Sequence, residues 1–538
     1  MAIMKNRKYY RLAIGRLLLA CMLCGTAVGT VSCSDDDEPA VSAVATLKAV
    51  SNLTVESTMQ EDELKVKFQN SSYLQTSHIQ IAYREVEENT QSSTDASGEW
   101  KTVSLDGSDY ALVVEYLLNV SKAGTYEVAV TLFGKSGERS ETVSAVADTY
   151  NPDKIIAETS MLDCADKQMT NLFDKYFNKS SRTIWQTWYP NVMSGNGVYW
   201  DGDALVWGQG AALSAFIAVR YATEDISRGA FYSGYDDRIF NGIQGFWCYD
   251  DRNGVTAYSC YPAGGNDRFY DDNVWIGLDM AEWYKLTGNV RYLDQAKAVW
   301  NYLTEYGWDE TCHGGVYWKE LPVGSVSKNT CSTAPTGVLS CKLYEITKDP
   351  VYLEWGKKVY DWLMAYVQDP ADHLFWDNVS PAENNPMEIG RIEKNKYAYN
   401  AGQPLQLACM LYKFTGEQAY LDKAQEIALA CYNQWFINYH STVLNKDFRI
   451  LSPDDAWFHA VMSRGFFELY SIDNDPKYLN DLRYTMLEAW YGEARQPNGL
   501  INDNDLSGRG DPKTQWEIRQ QAALIEMMAR LAVWENEH

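Results

Sequence analysis

The chain has 538 residues, 46% of them hydrophobic, and a formal net charge of −25. A sequence pI near 4.7 sets it against nucleic acid and anionic membrane surfaces, whose polyanions would repel it, and leaves neutral substrates open. The length exceeds one ordinary domain, and a mean hydropathy of −0.37 argues against a polytopic membrane protein. The 19 Trp and 37 Tyr suit stacking on sugar rings, although filling a helical core accounts for most of them.

Residues 1–33 read as a targeting segment. Lys5, Arg7, Lys8, Arg11 and Arg16 precede the apolar run "LLLACMLCGTAVGTV", which is short for a bilayer span and ends in small residues. Ser32 before Cys33 resembles a bacterial lipoprotein processing site, with Thr30 where Leu is usual. The acidic "SDDDEP" in the linker 34–41 resembles the signal that sends lipoproteins of certain Gram-negative bacteria to the cell surface. The expectation is a chain lipidated at Cys33, anchored in the outer membrane and facing outward, touching the membrane through its lipid alone. An ordinary secretory peptide is the alternative.

Residues 42–150 alternate apolar and polar side chains in "LTVES", "ELKVKFQ", "HIQIAYREVE", "WKTVSL", "YALVVEYL" and "TYEVAVTLFG", the period of half-buried strands. The close "YEVAVTLFGKSGERS" resembles the last hairpin of a fibronectin III or immunoglobulin-like sandwich. A spacer between anchor and larger domain is the expected role.

From 157 to 538 the pattern is helical and repeats. "YKLTGNVRYLDQAKAVWNYL", "YEITKDPVYLEWGKKVYDWL", "YKFTGEQAYLDKAQEIALACY" and "YSIDNDPKYLNDLRYTMLEAWY" each end one helix at an aromatic residue, stop it with a Gly or Asp-Pro turn and start an amphipathic helix. A period of about sixty residues makes roughly six helical hairpins. The apolar ending "QWEIRQQAALIEMMARLAVW" favours closure on the first helices over an open solenoid, which needs polar caps. The expected fold is an all-α (α/α)6 toroid, with a site at the loop-bearing end of its inner helices.

Eight cysteines lie between Cys164 and Cys431 without a CxxC pair, which disfavours zinc. Disulfides Cys248–Cys260 and Cys312–Cys331 are open to an exported chain, with buried free thiols favoured. No His cluster suggests a metal, and no cofactor is expected.

Four aspartate pairs compete for chemistry: Asp236 with Asp237, Asp250 with Asp251, Asp271 with Asp272, and Asp454 with Asp455. An Asp ahead of an apolar run is a good N-cap, which is a sufficient role for any one of them. Asp250 and Asp251 run into the turn "RNG", and Asp236 and Asp237 have Arg238 beside them. Asp271 and Asp272 open the inner helix "NVWIGLDMAEWYKLTG" behind a Gly-rich loop, and capping needs one carboxylate only. Glycoside hydrolysis takes two carboxyl groups, about 5–5.5 Å apart for retention and about 6.5–9.5 Å for inversion. Adjacent residues suit the shorter spacing, without excluding the other. Close like charges raise one pKa of such a pair and keep an acid protonated.

"RFYDDNVWIGLDMAEWYKLTGN" resembles the signature of glycoside hydrolase family 76, the endo-α-1,6-mannanases. "GGVYW" from Gly314, "KNTCSTAPTGVLSCKLYEIT" from Lys328 and "YAYNAGQPLQLACMLYKFTG" from Tyr397 resemble its later blocks. The resemblance covers 157–538 and none of the strand-rich part. It implies an (α/α)6 fold, no metal, and retaining hydrolysis of α-1,6-mannan or mannooligosaccharides; a monomer is expected. It also implies Asp271 as nucleophile and Asp272 as acid/base, an order the residues alone leave open. The candidate substrate-binding residues are Trp200, Asp201, Asn273, Trp275, Trp318, Lys319, Asn329, Tyr399 and Asn400, each of which also suits packing or capping. A transglycosidase on the same scaffold and a non-catalytic glycan-binding protein are the rival readings.

Overall fold

A computed structural model describes residues 47–58, 60–86, 98–106, 111–178, 184–199, 202–262, 267–320 and 326–537. The targeting segment with Cys33, the linker 34–41, and Trp200 with Asp201 lie outside the described residues.

Seven antiparallel strands come first: β1 (Ser51–Ser57), β2 (Glu63–Gln69), β3 (Thr76–Glu85), β4 (Lys101–Asp106), β5 (Val113–Asn119), β6 (Thr125–Gly134) and β7 (Val143–Asp148). They form two sheets, ordered β1-β2-β5 and β4-β3-β6-β7. Alternation decides which faces meet. In β2, Leu64, Val66 and Phe68 are buried, while Lys65 and Lys67 point outward to Glu115 of β5. Ile79 and Ile81 of β3 and Val128, Val130 and Leu132 of β6 join the same apolar cluster. The first six strands coincide with the expected segments. The seventh, "VSAVAD", is an edge strand with no fully buried side chain, so its alternation is weak.

Fourteen α-helices follow among the described residues: α1 (Pro152–Glu158), α2 (Met161–Tyr176), α3 (Val206–Ala222), α4 (Ser227–Ser233), α5 (Asp236–Gln244), α6 (Tyr270–Thr287), α7 (Val290–Asn301), α8 (Thr330–Thr347), α9 (Pro350–Tyr366), α10 (Ala398–Thr415), α11 (Gln418–Trp435), α12 (Ala456–Asp473), α13 (Lys477–Tyr491) and α14 (Ile518–Asn536). Six of them, α3, α6, α8, α10, α12 and α14, pack each on the next, and α14 packs back on α3. The result is a closed ring. Helices α5, α7, α9, α11, α13 and α2 lie outside it, each against an inner partner. Inner helices are apolar or small on nearly every side, as burial all round demands. At the tightest crossing, a Cβ on Gly402 of α10 would sit 2.3 Å from the Met462 Cα of α12, so only glycine fits.

The sequence repeat has a physical meaning here. Inner helices α6, α8, α10 and α12 all end on a left-handed residue, Gly288, Lys348, Gly416 and Asn474 respectively, which satisfies a last-turn carbonyl and turns the chain. The side chains of Asn289 and Asp349 then cap α7 and α9.

The 157–538 region is not purely helical, contrary to expectation. Long connections at one end of the ring satisfy their backbone groups as short antiparallel ribbons, such as Trp247–Asp250 with Val255–Tyr258, Asn378–Ala382 with Asn385–Glu393, and Phe436–Ser441 with Lys446–Leu451. The eight described cysteines are all free thiols, so neither the Cys248–Cys260 nor the Cys312–Cys331 disulfide is formed.

Charge inside the ring is mostly paired. Arg464 of α12 grips Glu526 of α14 through two hydrogen bonds of 2.7 and 2.9 Å. Asp279 of α6, 3% exposed, accepts from the Ser214 hydroxyl at 2.7 Å; burial pushes its carboxyl up to about 7, against the pull of Arg464. A carboxyl whose folded pKa is raised loses stability as pH climbs from its unfolded value near 4 to about 7. Asp279→Asn keeps an acceptor for Ser214. It is expected to raise the unfolding free energy at pH 8 by on the order of 2–4 kcal/mol and to change it little near pH 4, read by chemical denaturation.

Candidate active site

The first turns of the inner helices converge on the ribbon-bearing end of the ring. Helix α6 begins after Phe269, whose side chain carries no acceptor, so the helix has no side-chain cap. Asp271 and Asp272 therefore sit inside the first turn, at the positive end of the helix dipole, with no capping duty.

Their surroundings differ. Asp271 Oδ1 accepts from the Asp272 backbone N–H at 3.0 Å. Its Oδ2 accepts from Trp318 Nε1–H at 3.1 Å and from the Cys331 thiol at 3.5 Å. Asp272 Oδ2 accepts from the Cys260 thiol at 3.7 Å. Neither carboxyl has a Lys, Arg or His partner at ion-pair distance among the described residues. Burial pushes both pKa values up. For Asp271 the hydrogen bonds from Asp272, Cys331 and Trp318 pull back toward the ionised form. For Asp272 the charges of Asp271 and Asp267 add to burial and drive it well above the usual carboxylate range. One carboxyl is thus set to ionise first while its neighbour keeps its proton.

Both line the floor of a cleft of about 300 Å³ walled by Trp207, Trp275, Trp318, Tyr399 and Trp457, with Glu517 and Arg519 at one side. Trp457 packs edge-on against Trp207 and Trp275, each at 5.3 Å. A second hollow of about 480 Å³ adjoins it across Trp318 and Tyr399, lined also by Asn329, Cys331, Asp377 and Arg391.

Residues 160–538 match the model of glycosyl hydrolase family 76. The chain belongs to this family of glycoside hydrolases. A family 76 glycoside hydrolase from a bovine Bacteroides thetaiotaomicron strain is 54% identical with a TM-score of 0.73, covering 91% of this chain and 100% of that one. A second from the same species, named a mannosidase, is 55% identical with a TM-score of 0.68, covering 70% of this chain and 99% of that one. The mannan endo-1,6-alpha-mannosidase of Candida albicans is 29% identical over 258 residues, 45% of this chain and 55% of the relative. The corresponding Saccharomyces cerevisiae protein is 27% identical over 141 residues, 25% of this chain and 30% of the relative. The chain thus spans about half or less of the length of these two curated relatives.

In this family 76 chain each of the other aspartate pairs has at least one member with structural employment. Asp236 pairs with Arg220 at 3.1 Å and Asp237 with Arg291 at 2.7 Å. The sequence neighbour Arg238 instead donates to the Asn178 carbonyl. Asp250 is clamped by Arg252 in its turn. Asp455 caps α12 through the Trp457 and Phe458 N–H groups.

Of the candidate binding residues, Trp275, Trp318 and Tyr399 line the cleft, and Asn329 lines the second hollow. Three others differ from expectation. Asn273 is fully buried: its amide oxygen accepts from Tyr258 N–H at 2.7 Å, and its Nδ2 donates to the Tyr258 and Phe269 carbonyls. It ties α6 to the neighbouring ribbon. The Lys319 ammonium pairs with Asp267 and lies over the Phe269 ring, and it lines neither hollow. Asn400 is also fully buried and donates to Asp377 at 3.1 Å, so it reaches the second hollow only through that carboxylate. Adjacency to a helix start does not reveal which flank faces the bore. Sequence reasoning passed over Trp207, Trp457, Glu517, Arg519, Cys260 and Cys331. The usable signal was a Trp within two residues of an inner-helix start, which Trp207 and Trp457 share. Arg519 stacks over Trp207 at 4.1 Å, but Asp455 and Glu517 balance its charge.

Asn273→Ala removes three buried hydrogen bonds and should cost about 2–4 kcal/mol of stability, measured by urea unfolding. Unchanged stability with weakened ligand binding would instead make Asn273 a cleft residue.

Proposed function

We propose that the chain cleaves internal α-1,6-mannosidic linkages of mannan with retention of configuration. The observation that carries this reading is the unequal donation to two adjacent carboxyls on the floor of an aromatic-walled cleft. The names of the mannosidase relatives support mannan as substrate. Tryptophan and tyrosine walls suit the apolar faces of sugar rings.

Asp271, supplied with three donors, is the group to ionise and attack. Its carboxylate oxygen bonds to the anomeric carbon while the bond from that carbon to the glycosidic oxygen breaks. Asp272, held protonated by burial and the neighbouring charge, gives its proton to that departing oxygen. In the second half, Asp272 as carboxylate takes a proton from water, the water oxygen bonds to the anomeric carbon, and the ester to Asp271 breaks. The mechanism requires Asp271 ionised and Asp272 protonated. kcat/KM should therefore be bell-shaped against pH, with its acid limb above the ordinary carboxylate pKa of about 4, because burial raises the Asp271 value.

With linear α-1,6-mannan followed by NMR, the α-anomer of the new reducing end should appear first. Asp271→Asn and Asp272→Asn should each lower kcat by about 10³-fold or more, whereas Asp237→Asn should not. A β-anomer appearing first would exclude retention, and full activity in either cleft variant would exclude the pair.

We also read the strand-rich part as a fibronectin III-like spacer, supported by its β1-β2-β5 and β4-β3-β6-β7 sheet order. The spacer links the ring to an outer-membrane anchor at Cys33. Cys33→Ala should move the protein from the membrane fraction to the soluble fraction, read by immunoblot of fractionated cells. An unchanged distribution would exclude the anchor.

A further inference from the structure

Two thiols stand against the two carboxyls, one each. Cys331 lies in the first turn of α8, with Sγ 3.5 Å from Asp271 Oδ2. Cys260 lies between the Val255–Tyr258 strand and α6, with Sγ 3.7 Å from Asp272 Oδ2. Cys331 is buried and Cys260 partly so, and both are free. Cys260 lines the cleft and Cys331 the adjoining hollow.

Their chemistry is narrow. Burial and the neighbouring aspartates push both thiols far above their ordinary pKa. Each keeps its proton at neutral pH, so neither supplies a thiolate nucleophile. What remains is S–H donation, and the nearest recorded carboxylate oxygens belong to Asp271 and Asp272.

We propose that Cys331 and Cys260 are positioning residues for the hydrolysis, each thiol holding one oxygen of its aspartate. This rests on the two-aspartate reading above. With Oδ2 of Asp272 accepting from Cys260, the acidic proton sits on Oδ1, so the thiol selects the oxygen that protonates the leaving group. Asp271 Oδ2, accepting from Cys331 and Trp318 together, is held in one rotamer for attack. The weakness of a thiol donor matters. A strong donor on Asp272 would stabilise its anion and undo the protonation that an acid needs, while a weak one orients it in either state.

The test is kcat and KM across pH for the intact chain on linear α-1,6-mannooligosaccharides, with Ala and Ser at each cysteine. Cys331→Ala should move the acid limb upward by about half a pH unit and lower kcat about tenfold, with KM within about twofold. Cys260→Ala should move the alkaline limb upward instead. Serine, a stronger donor, should shift the same limb downward in each case; Cys331→Ser should recover most of kcat, and Cys260→Ser should do so only at pH values below its lowered alkaline limb. It also reads the contact if an alanine variant does not fold. Limbs that coincide with wild type in the alanine variants, or in the serine variants where alanine does not fold, overturn the proposal, whatever happens to thermal stability. Asp271→Asn run alongside separates the two ideas. An active Asp271→Asn removes the underlying reading, while an inactive one beside unmoved cysteine limbs removes only this inference.

Discussion

Closing six helices into one ring is the constraint on which the rest of the molecule depends. Each inner helix must fit between two others, so its flanks are limited to small or interlocking side chains. Gly402 and Gly465 let α10 and α12 meet backbone to backbone, and α14 completes the circle against α3. Closure leaves no exposed terminal repeat to cap. It also gathers the first turns of the inner helices at one end, where Asp271, Trp275, Tyr399, Trp457 and Arg519 meet although they are far apart in the chain.

The same enclosure produces the electrostatics. Two carboxyls on adjacent residues in a low-dielectric floor resist ionising together. In water that conflict would be mild; behind tryptophan walls it becomes a division of labour. The donors decide its direction. Trp318 from the loop before α8 and Cys331 from α8 both reach Asp271, while Asp272 receives only Cys260 as a recorded side-chain donor. The environment of Asp271 is thus built by a neighbouring repeat of the ring. Elsewhere the ring pairs most of its buried charge, as Arg464 does with Glu526, whereas this pair has no cation at ion-pair distance among the described residues.

Much of this was legible in sequence. The Gly and Asp-Pro turns marked where α6, α8, α10 and α12 end, each on a left-handed residue, and the apolar last helix announced closure. Asp271 and Asp272 stood out by position and by family resemblance. Other features were not legible because they depend on contacts across the ring. Asn273 follows the pair directly, yet it satisfies the backbone of a ribbon rather than facing the cleft. Arg220 and Arg291, not the adjacent Arg238, hold Asp236 and Asp237. The thiols against the carboxyls come from separate segments with no shared motif. The segment "SPAENNPMEIGRIEKNK" has the Pro, Asn and Gly content of a loop, yet it forms a paired ribbon. The proposed order of nucleophile and acid, open in the residues themselves, rests on a donor count that only the folded chain supplies.

The most direct test of that order is chemical trapping. A mannosyl fluoride slowed by a ring fluorine accumulates the glycosyl-enzyme ester of a retaining hydrolase. Peptide mass spectrometry of the trapped protein should find the sugar on Asp271. A label on Asp272, or no covalent adduct under turnover conditions, would contradict the account.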